Sequence, residues 1–98
     1  MQVVKAPLER ELEKHFAKEI KRLGLMTLKL QIMGRRGWPD RLVVHNGVVY
    51  LAELKTETGE LSPLQESTFA KLKARGVSVV ILRTKTGITK YLEYISVQ

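Results

Sequence analysis

The sequence contains no cysteine, which excludes both a disulfide frame and a thiolate zinc site. Two histidines leave little for other zinc arrangements, so any bound metal must be held mainly through oxygen. No apolar run approaches the roughly 20 residues that cross a bilayer. The start Met1-Gln2-Val3-Val4-Lys5-Ala6-Pro7 lacks the basic stretch followed by an apolar one that marks a secretory signal. The resulting expectation is an intracellular, cytoplasmic protein with no membrane role. Internal repeats, low-complexity tracts and linkers are also lacking, and 98 residues are too few for a second core, so residues 1–98 are read as a single domain.

What the chain has in excess is positive charge. Seventeen lysines and arginines against ten acidic residues leave a net +7, which in a domain this small attracts polyanions, most often nucleic acid. Charge alone does not separate a nucleic-acid protein from a merely basic one, so motifs must decide. The hydrophobic share of 44% against 28% charged is that of an ordinary folded domain rather than a disordered tail.

Leu8, Leu12, Phe16, Ile20 and Leu23 recur at three- and four-residue intervals, which predicts an amphipathic helix with Pro7 in its first turn and Gly24 at its exit. From Leu28 the pattern becomes alternation, with Leu28, Leu30 and Ile32 on one face of a half-buried strand and Lys29 and Gln31 on the other. Gly34-Arg35-Arg36-Gly37 breaks it. Arg41 to His45 and Val48 to Leu54 read as two strands joined by Asn46-Gly47, the dipeptide suited to a two-residue hairpin turn. Both are apolar on both faces, which predicts a sheet covered on two sides. After a polar loop, Ser62-Pro63-Leu64-Gln65 carries an N-cap, a proline at the first helical position and a capping-box glutamine, for a helix running to Arg75 and stopping at Gly76. Val77 to Leu82 then reads as a buried strand, parallel to a neighbour through a right-handed crossover. Residues 88–95 fit a helix and alternation about equally. The order is α-β-β-β-α-β, an α/β fold with a mixed sheet flanked by helices.

A hairpin turn of only Asn46 and Gly47 sets His45 opposite Val48, Val44 opposite Val49, and therefore Asp40 opposite Glu53. Opposed side chains lie with Cβ atoms roughly 4.5–5.5 Å apart, where like charges repel. Two such carboxylates are stabilised by a shared proton or by a cation between them, and hard ions such as Mg²⁺ prefer these oxygens. Lys55, two residues beyond Glu53, projects from the same face and can steady charge on a phosphate oxygen or help activate water. Asp40 and Glu53 are therefore read as metal ligands, with the Leu54 carbonyl as a further oxygen. The bland alternative is a turn residue after Pro39 and solvated charges at a strand end. Glu-x-Lys and Pro-Asp are each common, but their coincidence in register is not.

Gly37-Trp38-Pro39-Asp40, Glu53-Leu54-Lys55 and Leu61-Ser62-Pro63-Leu64-Gln65, in that order and spacing, resemble the PD-(D/E)xK nucleases. More narrowly the chain resembles the virus-type replication-repair nuclease family, VRR-NUC, in its stand-alone phage and bacterial form, from about Glu9 to Leu82. The resemblance implies a restriction-endonuclease-like core, Mg²⁺ or Mn²⁺ dependence and hydrolysis of branched or flapped DNA. It also implies a homodimer similar to Holliday junction resolvases, working in a phage-infected or bacterial cell. By the same resemblance Asp40 and Glu53 hold the metal, Lys55 is the catalytic lysine and Gln65 helps arrange the site, beside its structural job in the capping box. Glu9 becomes the extra acid of the first helix and a metal ligand, with Glu13 one turn on as its substitute; a solvated helix face is the alternative for both. A catalytically idle basic DNA-binding module of the same fold is the competing function.

Arg35 and Arg36 stand immediately before the Pro-Asp motif, where guanidinium groups suit bidentate phosphate contact. Lys29, Lys71 and Arg83 are the further candidates for DNA contact; Lys71 and Arg83 belong to a stretch from Lys71 to Lys90 with six basic residues and no acidic one. Trp38 either wedges against a base or packs under its loop, packing being the simpler reading. His15 and His45 are given no role.

Overall fold

The four-residue spacing of Leu12, Phe16 and Ile20 produces the helix it implies. In a computed structural model, which describes residues 7–98, α1 spans Glu9–Leu23 and buries those three side chains. Leu8 is its N-cap, so Pro7 stands outside the first turn where it was expected. The first strand also differs from expectation. β1 is Met26–Lys29, earlier than the alternation from Leu28 to Ile32 suggested, and Leu28 and Ile32 are exposed. The reason is its partner: β1 pairs antiparallel with β2, Arg41–His45, from Met26↔Val44 to Lys29↔Arg41. One further bond, from the Leu30 N–H to the Asp40 carbonyl, closes the ladder at 2.8 Å. Beyond it stands Pro39, which has no N–H to offer.

β3 is Val48–Leu54, and Asn46 (φ 49°) and Gly47 (φ 81°) make the connection to β2. Positive φ at both central residues is the mark of the turn whose twist matches paired strands. The register runs from His45↔Val48 to Arg41↔Ala52, as counted from the turn. The crossover helix α2, Pro63–Ala74, is capped by Ser62 with a complete capping box and leads to β4, Val79–Leu82, which lies parallel to β3. β4 begins two residues later than predicted, because the Val77 N–H is bonded to the Leu72 carbonyl at 2.9 Å in the exit from the helix. The sheet order is β1-β2-β3-β4.

The ambiguous carboxyl-terminal stretch is a helix. α3, Lys85–Ser96, starts at Thr84, whose side chain accepts from the Gly87 N–H, and it buries Ile88, Leu92 and Ile95. α1 and α3 pack side by side on one face of the sheet, closing a core with Val43, Ala52, Leu54 and Leu82. The other face is only partly covered, against the expectation of two closed sides. α2 has no buried residue, and Met26, Leu28 and Val49 remain exposed there. Apolar residues on both sides of a strand show that both sides can pack, but not that this chain supplies both partners.

Candidate active site

The hairpin ladder delivers the site. One step past the Arg41↔Ala52 pair, Asp40 faces Glu53, and the two are clamped crosswise. The Asp40 N–H donates to Glu53 Oε1 at 3.0 Å, and the Leu54 N–H donates to Asp40 Oδ1 at 3.2 Å. Lys55 Nζ stands 3.7 Å from Glu53 Oε2. Period-two alternation puts all three side chains on the sheet face that carries α2. Leu54, whose carbonyl is the expected further oxygen, is the buried residue between Glu53 and Lys55, held by its bond to Asp40.

The electrostatics are those of a site short of positive charge. Glu53 is 5% exposed, and burial first and the Asp40 charge second push its carboxyl above the usual range, against Lys55, the Asp40 N–H and Gln65. Burial likewise raises Asp40, opposed by the Leu54 N–H and the Arg41 charge and reinforced by the charge of Glu9. Among the described residues no third carboxylate or histidine joins the pair in a compact cluster. That donor set fits Mg²⁺, which takes one or two carboxylates and keeps much of its own water, better than an ion needing a full protein cage.

α2 enters the site by its first turn. Gln65 carries both expected contacts: its Oε1 accepts from the Ser62 N–H at 2.9 Å, and its Nε2 donates to Glu53 Oε2 at 3.0 Å. The capping box therefore also aims the amide at the carboxylate. Gly37 brings the loop before Asp40 against this turn. Its φ is +82°, and a Cβ there would lie 2.7 Å from the Leu64 carbonyl oxygen, so no other residue allows this approach.

The remaining candidates separate. Glu9 is exposed at the start of α1, near enough to act on Asp40 through its charge. Glu13 is spent on cations, 3.6 Å from Arg41 and 3.9 Å from Lys29, which also places Lys29 in an ion pair. Arg35 and Arg36 are exposed, and with Trp38 and Lys71 they line one cleft beside α2. Arg83 turns to its own chain: one guanidinium nitrogen donates to the carbonyls of Thr56 and Gly59, bracing the loop that follows Lys55. His15 bonds to Thr89 Oγ1 at 2.8 Å, away from the carboxylate pair.

Sequence reasoning missed Arg41. Its guanidinium is buried behind Asp40, 5.8 Å over the Phe16 ring, and its Nε has no partner among the described residues. The available signal was its place directly after Asp40, which sends it to the opposite face and toward the first helix.

No family model matches the chain. The phage protein "Putative nuclease p44", from Acyrthosiphon pisum secondary endosymbiont phage 1, is 37% identical over 75 residues, covering 76% of this chain and 81% of the phage protein. A solved structure described as "VRR_NUC domain" superposes with a TM-score of 0.77 at 28% identity, over 88% of this chain and 95% of that one. The sheet with its carboxylate pair, the nuclease relative and the superposed domain agree: the chain belongs to the VRR-NUC nuclease family.

Proposed function

We propose that this protein is a Mg²⁺- or Mn²⁺-dependent endonuclease that hydrolyses DNA phosphodiester bonds, selects branched or flapped DNA by shape, and works as a homodimer. The observation that carries the reading is the pair of buried Glu53 and half-buried Asp40, in register across a hairpin with Lys55 beside it. Asp40, Glu53 and the Leu54 carbonyl would hold the ion, and Glu9, outside that compact set, would reach it only by a movement of its exposed side chain. A divalent cation bound there supplies Lewis acidity, polarising a phosphate oxygen and making water a better nucleophile at neutral pH.

The chain's own groups do the rest. Lys55 places an ammonium where charge builds on the phosphate. Gln65 and the Asp40 N–H fix both oxygens of Glu53, so that carboxylate does not reorient during the reaction. Arg35, Arg36 and Lys71 attract the phosphate backbone without reading sequence, which leaves DNA shape as the basis of choice. The half-bare sheet face, with Met26, Leu28 and Val49 each more than half exposed, supports a second copy as its cover.

The test is incubation with single-stranded, duplex, flap and four-way DNA, with Mg²⁺ or Mn²⁺ and with EDTA. Cleavage is expected only with metal and fastest on a branched substrate; DNA bound equally well in EDTA but never cut would leave a binding module instead. Light scattering should give twice the chain mass, reduced to one by Leu28→Glu. A wild-type monomer ends the dimer proposal.

A further inference from the structure

α2 carries the crossover between β3 and β4, yet none of its 12 residues is buried. On one side Phe69 and Ala70 border a shallow gap against β4 that Val79 and Ile81 also line. A second side presents Leu64, Ser67, Thr68, Lys71, Leu72 and Arg75, of which Thr68 and Leu72 are half-buried. These recur at three- and four-residue steps, so they form one continuous stripe along the helix. Facing the stripe is the loop that Gly37 pins against Leu64, and between them opens a cleft of about 690 Å³. That volume lies in the range of specific small-ligand sites.

The chemistry of the cleft is divided. Trp38, Leu64 and Leu72 give it apolar surface, and Trp38 is only half-buried, so the ring is available from the cleft. Arg35, Arg36, Lys71 and Arg75 bring four cations, and no acidic residue lines it among the described residues. Arg75 is held along the stripe by a bond from its guanidinium to the Lys71 carbonyl at 3.0 Å. Leu64 adjoins Gln65, whose amide contacts Glu53, so the cleft opens beside the carboxylate pair.

We propose that this cleft binds an unpaired nucleotide of the DNA, its base stacked on Trp38 and its phosphates held by Arg35, Arg36, Lys71 and Arg75. A duplex backbone alone would use the cations but leave the exposed Leu64 and the open part of the half-buried indole uncovered. Within a duplex the faces of each base are already stacked on neighbours; an unpaired base has a free face to offer, and stacking of that kind tolerates any sequence. A single-stranded arm seated here anchors the strand next to the site of hydrolysis, which would make strand pairing, rather than base identity, the selected feature. The inference rests on the nuclease reading for the meaning of that neighbouring site, but its test measures binding without cleavage, so the two can fail separately.

Trp38 is the only tryptophan in the chain, so its fluorescence reports occupancy directly. In EDTA, a blunt duplex and the same duplex bearing a short single-stranded thymidylate arm are titrated into the protein, following fluorescence and anisotropy. The arm-bearing probe should quench Trp38 and bind on the order of tenfold tighter than the blunt one. Trp38→Leu should abolish that preference and Trp38→Phe should retain most of it. Should Trp38→Leu fail to fold, the exposed pair Lys71→Gln with Arg75→Gln decides, by weakening the arm-bearing probe more than the blunt one. Equal quenching by both probes would make the cleft a duplex-backbone contact and overturn the proposal. Quenching by neither, or a double variant that weakens both probes equally, would also overturn it.

Discussion

Two carboxylate sites, each built on a buried glutamate, stand on opposite sides of the sheet, and their environments are opposites. Glu19, 6% exposed between α1 and α3, accepts from Arg22 Nε at 2.6 Å and from Thr89 Oγ1 at 2.7 Å, with His15 alongside. The Arg22 and Thr89 bonds, outweighing burial, pull its carboxyl down to about 2. Asp40 and Glu53 are raised instead, both chiefly by burial, Glu53 further by the Asp40 charge and Asp40 by that of Glu9. Burial therefore does not distinguish a structural acid from a functional one. What distinguishes them is whether the chain supplies enough partners for the charge: Glu19 has its full set, whereas the carboxylate pair has one lysine within ion-pair distance and an arginine, Arg41, that is shared with Glu13.

Mirror substitutions test this contrast most severely. Asp40→Asn should lower cleavage on the order of a thousandfold, while Tm stays level or rises, because one of two repelling charges is gone and the Asn oxygen still accepts from the Leu54 N–H. Glu19→Gln should do the reverse, lowering Tm by several degrees because Arg22 keeps only its longer pair with Glu93 and loses the close one, and leaving cleavage well below Tm unchanged. If Asp40→Asn melts as early as Glu19→Gln, the two sites are of one kind and the contrast fails.

Metal sharpens the same comparison by a smaller effect. Mg²⁺ should raise the Tm of the wild type and of Glu19→Gln alike, by an increment that grows with concentration as a ligand binding only the folded state requires. Asp40→Asn should lose most of that increment. A thermal shift that survives Asp40→Asn would place the ion elsewhere.

The smallest effect is in pH. Because the folded protein lowers Glu19 from 4.5 to about 2, its contribution to stability is complete above the unfolded value and disappears as pH falls through that interval. The Tm gap between wild type and Glu19→Gln should therefore close between pH 4.5 and about 2. The raised pair has the opposite sign: the folded state holds those protons more tightly than the unfolded chain, so the penalty of two ionised acids applies above their folded values and is relieved on acidification. Thermal melts across the acid range would show a gap that widens instead if the sign is wrong.

Legibility followed the range of the interactions involved. Asn46-Gly47 fixes a turn through two adjacent residues, and every pairing up to Asp40 and Glu53 follows by counting along the strands. Ser62 and Gln65 were equally readable, because a capping box closes within one turn of helix. Arg83 was not, since its acceptors lie 24 and 27 positions away, and neither was the engagement of Glu13 by Lys29 and Arg41. A charged residue in isolation gives no sign of whether it faces DNA or its own chain. The β1 boundary escaped for a related reason: alternation continued past Lys29, but the partner strand ended at Arg41.

From the order of residues alone came the reversal that opposes two acids, the lysine on their side of the strand, and the helix start that carries Gln65, because each depends on geometry repeated every two or four residues. Folding decided what no such period encodes: that Glu19 is satisfied while Asp40 and Glu53 are not, that one sheet face is closed and the other half bare, and that the Trp38 loop and α2 enclose a cleft. Those outcomes depend on distances between segments far apart in the chain, and such distances exist only once the elements have packed.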